Sequence, residues 1–247
     1  MSANLLTETV AEEELHVEGL DGTGRDMSRI ISVSDAMFAF SMTFLVITLV
    51  LPQVGAANRY PNLLSYFSGE WPSMVAYMIS FFVISSWWGT HRRLFSPIVR
   101  YDPTLVRLNN LFLLVIAITP FLVGILYDYG PGSTVSPGSQ STQFAVVIFA
   151  AAQVTAGLLL LAIWRHSTRG HRLVEERLPE SWVRGTEKIQ TFYIAVFAVS
   201  IPIAFASPFI AELAWIAMVF GGHHLRIRLR RRRRPVASPP PVATPGR

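Results

Sequence analysis

Apolar stretches long enough to cross a lipid bilayer recur from residue 30 to residue 225, and they constrain this chain more than any other feature. A membrane helix needs about 20 mostly apolar residues, because the hydrocarbon core is about 30 Å thick and a helix rises about 1.5 Å per residue. Stretches this frequent in 247 residues leave little sequence for a soluble domain. Charge content agrees, since 15% of the residues are Asp, Glu, Lys or Arg where soluble domains carry about 25%. Mean hydropathy is +0.40. The expected fold is all-α and polytopic in the membrane, which excludes a globular soluble fold.

Hydropathy marks six spans, at residues 30–51, 71–88, 105–127, 142–164, 189–206 and 208–225. The last two are short, near the lower limit of about 17 residues for a crossing. Ser207-Pro208 marks the turn between them. The alternative, one long helix, has to absorb both Pro202 and Pro208.

Charge placement gives the direction. Arg25 and Arg29 precede span one, and Arg92, Arg93, Arg100 and Arg107 lie between spans two and three. Arg165, Arg169, Arg172, Arg177, Arg184 and Lys188 lie between spans four and five. Arg226, Arg228 and five arginines at 230–234 follow span six. The other side carries Arg59, and residues 128–143 hold no Lys or Arg. Six spans with both termini cytoplasmic satisfy the positive-inside rule, whereas five spans put the Arg-rich tail outside. The expected location is the cell membrane. The expected organisation is an acidic cytoplasmic arm at 1–28, a six-helix transmembrane domain at 29–225 and a basic, Pro-rich, disordered tail at 226–247. The arm lacks the basic start and apolar run of a cleaved signal peptide. The tail reads as a stop-transfer anchor holding anionic lipid headgroups, in preference to a nucleic-acid site.

Chemistry is narrowly bounded. With no cysteine, disulfides, thiolate metal sites and cysteine nucleophiles are excluded. There is no G-x-S-x-G elbow and no glycine-rich phosphate loop. His223 and His224 stand 11 and 12 residues from Glu212, which fits no zinc pattern. Neither an enzyme nor a metal or other cofactor is expected.

The first span opens with Arg29, Ser32, Ser34 and Asp35. An ionisable group inside a membrane helix is costly and marks a specific role. At 100° per residue, Val33, Met37, Phe40, Phe44, Ile47 and Leu51 share one face, and Asp35, Ala39, Met42 and Val46 take the opposite one, with Thr43 between. The Asp35 face is expected to pack inward against its own subunit. The Phe40 face is suited either to lipid and bundle contact or to meeting copies of itself around an axis, where a ring of bulky apolar groups closes a pore by dewetting. Candidate partners for Asp35 are His91, Arg92, Asn109, Asn110 and Arg29, all expected at the cytoplasmic ends of their spans.

Residues 29–35, Arg-Ile-Ile-Ser-Val-Ser-Asp, followed by Ala36, Ala39 and Thr43, resemble the Arg-x-x-x-Phe-Ser-Asp signature of the transmembrane protein 175 potassium channel family. Trp87 with His91, and LVRLNNLFLLVIAITPFLVG at 105–124, add to the resemblance. It implies a six-helix subunit that assembles as a homotetramer and conducts potassium ions along an axis lined by the first helix. Carried over by distance from the aspartate, the constriction is expected at Phe40, Phe44 and Ile47, with ion preference at Thr43. Arg29, Ser34, Asp35, His91, Asn109 and Asn110 are expected to form a structural polar cluster. Two departures stand out: Val33 replaces the signature phenylalanine, and Phe40 and Phe44 are bulkier than the aliphatics usual there. A secondary transporter, with helices broken at Pro120 and Pro202, or a non-conducting scaffold, is the alternative.

Overall fold

The computed structural model describes residues 24–50, 63–131, 140–175 and 178–216. These form six helices: α1 (Gly24–Val50), α2 (Leu63–Phe95), α3 (Pro103–Tyr129), α4 (Gln140–Thr168), α5 (Glu180–Ala206) and α6 (Pro208–Ala214). Residues 1–23 of the acidic arm, the whole basic tail, Arg59, His223 and His224 lie outside the described residues. The chain is an all-α polytopic membrane protein. Among the described residues, four helices are long and apolar enough to cross a membrane, namely α1, α3, α4 and α5.

Helix ends follow the local chemistry. Asp102 caps α3 by accepting from the Leu105 amide at 2.8 Å, and Pro103 sits at the first helical position, where its missing N–H costs nothing. Ser207 stops α5 in extended conformation, and its hydroxyl accepts from the Ile210 amide of α6. The Ser207-Pro208 turn therefore separates two helices, and the single long helix is not formed. Helices α1 to α5 each outrun their apolar stretch into polar sequence. Helix α5 begins at Glu180, nine residues before Ile189, because backbone bonding continues past the hydrocarbon limit. Pro120 and Pro202 lie inside α3 and α5, which run through as single helices, so the broken helices of a transporter site are not formed there.

One end of the bundle gathers the N-terminal halves of α1, α3 and α5 with the C-terminal ends of α2 and α4. Contacts at that end are Asn109 to Ser34, His91 to Asn109, His166 to Asp102 and Trp164 to the Val183 carbonyl. The described arginines of the α2–α3 and α4–α5 connections lie there, and we term it the basic end.

The core of α2, α4 and α5 is aromatic. Trp87 is fully buried between Tyr193 and Phe197, and its indole N–H donates to Gln153 Oε1 at 2.9 Å. Trp215 packs on Phe149 and donates to Ser200 Oγ at 3.0 Å. Buried indoles take such partners because an unbonded N–H in an apolar medium is costly. Gly157 leaves room for Trp87, since a Cβ there stands 2.6 Å from Ile194 Cγ1 and 3.1 Å from Trp87 Cη2. Gly157→Leu is expected to lower stability by about 1–3 kcal/mol through overpacking. A lower melting temperature in detergent, followed by tryptophan fluorescence, checks it.

Candidate functional site: a polar network beneath an exposed helix face

Helix α1 buries a narrow seam of Met27, Ser34, Phe38, Ser41 and Leu45. From Ser34 these positions repeat every three or four residues, and Met27 lies two turns before it, the spacing of one helix face. Ser34 and Ser41 sit in that apolar seam because each hydroxyl donates to the carbonyl four residues back, Ile30 and Met37, both at 2.9 Å. The inward face is thus centred on Ser34 and Phe38, about a quarter turn from Asp35. Asp35 and Met42 are half-buried at its flank, while Ala39 and Val46 are exposed.

The network starts at His91, fully buried on α2. Its Nε2 lies 2.9 Å from Asn109 Oδ1 on α3. An amide oxygen only accepts, so Nε2 carries the proton and donates. Asn109 Nδ2 donates to Ser34 Oγ at 3.1 Å, and the Ser34 hydroxyl in turn donates to the Ile30 carbonyl. The result is a one-directional chain from α2 through α3 to α1. His91 is held between Phe95, stacked at 4.2 Å, and Phe112, nearly parallel at 5.6 Å, with Phe38 tilted at its side. Geometry and packing together leave the three helices one mutual register.

Asp35 finds a partner outside the expected set. Trp88 Nε1 donates to Asp35 Oδ1 at 2.8 Å, and the Arg92 guanidinium lies 5.3 Å from the Trp88 ring centre. Indole therefore links carboxylate to cation, with a cation–π contact on its face. Arg29 and Asn110 are exposed, and neither takes part in the Ser34–Asn109–His91 chain. The sequence signal for Trp88 was its N–H, which seeks an acceptor wherever the ring is buried.

The opposite sector of α1 is open. Val33, Phe40, Phe44 and Ile47 are 61%, 57%, 42% and 47% exposed in the subunit. Phe40 and Phe44 lie ring to ring at 4.2 Å between centroids. Thr43 is exposed, its hydroxyl donating to the Ala39 carbonyl at 2.9 Å. A groove of about 400 Å³ runs from Phe44 and Ile47 to Pro120, Phe121 and Gly124 of α3.

A second network, unforeseen from sequence, closes the basic end. His166 Nε2 donates to Asp102 Oδ2 at 2.7 Å, and Arg172 approaches the same oxygen at 3.6 Å. Burial opposes the charged form of Asp102. The Leu105 amide, the His166 hydrogen bond and the charges of His166 and Arg172 outweigh it and hold the pKa below its ordinary value of 3.8. A depressed carboxylate pKa adds stability above the unfolded value, and this is lost as pH falls through the folded one. Wild type is therefore expected to exceed Asp102→Asn in melting temperature by a constant margin at neutral pH, shrinking below about pH 4. Asn retains the cap, so thermal melts of both proteins from pH 7 to pH 3 isolate the charge. A margin that does not change with pH refutes it.

Comparison with known proteins bears on the same residues. The family model for the endosomal/lysosomal potassium channel TMEM175 matches residues 29–120. A potassium channel of Streptomyces collinus (strain DSM 40733 / Tue 365) is 29% identical over 161 residues, covering 65% of this chain and 74% of that protein. A potassium channel of Chamaesiphon minutus (strain ATCC 27169 / PCC 6605) is 26% identical over 182 residues, covering 74% and 86%. In fold, the chain is similar to the crystal structure of a lysosomal potassium-selective channel TMEM175 homolog from Chamaesiphon minutus. The TM-score is 0.67 at 22% identity, over 83% of this chain and 98% of that one. The stretch matched by the family model contains the whole His91–Asn109–Ser34 chain, the Asp35–Trp88 pair and the open sector of α1, and over these residues the chain is similar to the TMEM175 potassium channel family.

Proposed function

We propose that this chain is a subunit of a potassium-conducting channel, built as a homotetramer with α1 around the central path. One observation carries the reading. Only 22% of the apolar stretch of α1 is buried within the subunit, against 33% to 50% for α3, α4 and α5. A helix open on both flanks of a narrow seam suits a position between its own subunit and its copies. Phe40, Phe44 and Ile47 on the open sector form the constriction, and water-repelling rings there close the path by dewetting. Thr43 contributes to ion preference. Ser34, Asp35, His91 and Asn109 hold α1 in register and take no part in conduction.

In this reading α2 is a span as well, its 33 residues measuring about 50 Å and extending beyond the hydrocarbon. Helix α6 begins a sixth. Both termini then face the cytoplasm under the positive-inside rule, and the Arg-rich tail meets anionic lipid headgroups. Potassium efflux from liposomes, with the oligomer counted by crosslinking, tests the proposal. Selective flux from a tetramer supports it. Tetrameric protein without flux, or saturable exchange without unitary currents, refutes it.

A further inference from the structure

The α2–α3 and α4–α5 connections are fastened together at the basic end. Ile98 and Val174 form an antiparallel bridge, the Val99 and Arg100 amides donate to the Leu173 carbonyl at 2.9 and 3.2 Å, and the Glu175 amide donates to the Pro97 carbonyl at 3.0 Å. The chain reaches this register through a single 3-10 turn at Arg169–His171, in which Gly170 and His171 both take left-handed backbone angles, φ 65° and 53°. A non-glycine residue there is strained, and the clasp holds it. Arg100, Arg169 and Arg172 are thereby set on a fixed frame.

Their charge exceeds what faces it. Arg100, Arg169 and Arg172 are all exposed, and His171 beside them is exposed too. The acidic side chains at the clasp, among the described residues, are Asp102 and Glu175. Asp102 Oδ2 already accepts from His166 at 2.7 Å, so Arg172, at 3.6 Å from it, is beyond hydrogen-bond length. Arg165 is separately paired with Glu187 at 3.5 Å. Among the described residues, neither Arg100 nor Arg169 has an ion-pair partner. Trp164 lies one helical turn before the clasp, packed on Trp182, whose ring carries Arg93 at 6.0 Å. Tryptophans so placed mark the headgroup level of a membrane protein. The positive-inside rule explains how many arginines lie at this end. It does not require that three of them stand on two connections locked to one another.

We propose that Arg100, Arg169 and Arg172 form a binding site for a phosphate anion at headgroup depth, supplied by an anionic phospholipid or by free phosphate. Guanidinium groups suit phosphate oxygens because their planar donors pair with them two at a time. Bound there, the phosphate shares Arg172 with Asp102 and bridges both connections.

The test is thermal unfolding of the full chain in detergent, with phosphatidylglycerol, phosphatidylcholine or inorganic pyrophosphate added. For each protein the phosphatidylglycerol increment is taken relative to its own midpoint in phosphatidylcholine, so altered basal stability does not enter. Arg100→Gln/Arg169→Gln is expected to lose at least half of the wild-type increment, the remainder belonging to the Arg-rich tail. Arg107→Gln/Lys188→Gln removes the same charge from exposed positions outside the clasp and is expected to keep the increment. A pyrophosphate shift in wild type that the clasp variant lacks assigns the site to free phosphate; no pyrophosphate shift assigns it to lipid. Equal increments in wild type and clasp variant, or equal losses in both variants, overturn the proposal.

Discussion

Potassium flux from proteoliposomes is expected to rise about tenfold for Phe40→Ala or Phe44→Ala, the change that a barrier lower by about 1.4 kcal/mol produces. The two rings stand 4.2 Å apart on the open sector of α1, so in the proposed tetramer either truncation widens the same constriction. Both side chains are about half exposed in the subunit, and removing them leaves its core intact. Phe38→Ala provides the contrast, because Phe38 is fully buried against His91 and Phe112. Its loss opens a cavity costing about 3–5 kcal/mol and is expected to reduce folded yield instead of raising flux. Unchanged flux in both exposed-sector variants, with normal assembly, places the barrier elsewhere.

Asn109→Leu is expected to be the most damaging single substitution in the polar network. Asn109 is nearly fully buried and serves two partners on two other helices. Leucine fills the volume but leaves the His91 N–H and a Ser34 lone pair unmet, at about 1–3 kcal/mol for each buried group. A detergent melt of Asn109→Leu should show that combined loss, and size-exclusion profiles should show fewer assembled particles. Asp35→Ala is expected to cost less, since Asp35 is half-buried with a single partner, Trp88. A loss in Asp35→Ala larger than in Asn109→Leu contradicts this ranking.

The two halves of α1 were unequally legible. That Phe40, Phe44 and Ile47 share one face followed directly from the helix's own period, whereas packing decided that this face is the open one. The inward face of α1 was displaced by about a quarter turn. The wheel weights a charged residue as the strongest inward signal, yet the packed seam prefers Ser34 and Ser41, whose hydroxyls are satisfied by their own helix. Asp35 has no such internal partner and takes a flank where Trp88 reaches it. His91 and Asn109 were expected at one depth from span direction, and they meet at 2.9 Å. Asn110 and Arg29 were expected with them, but helix phase turns both outward.

By itself, the sequence determined that the chain lives in a membrane as a helical bundle, where its four long apolar helices lie, which end is basic and which face of the first span is apolar. All of these follow from local composition and from the fixed period of a helix in a solvent that cannot bond its backbone. Only the tertiary structure decided which polar atoms pair. The Trp88–Asp35 pair joins residues 53 apart, and the Asp102–His166 clasp joins residues 64 apart. A hydrogen bond depends on tenths of an ångström and on helix rotation, which are set jointly by packing across several helices and are not encoded in any one stretch of chain.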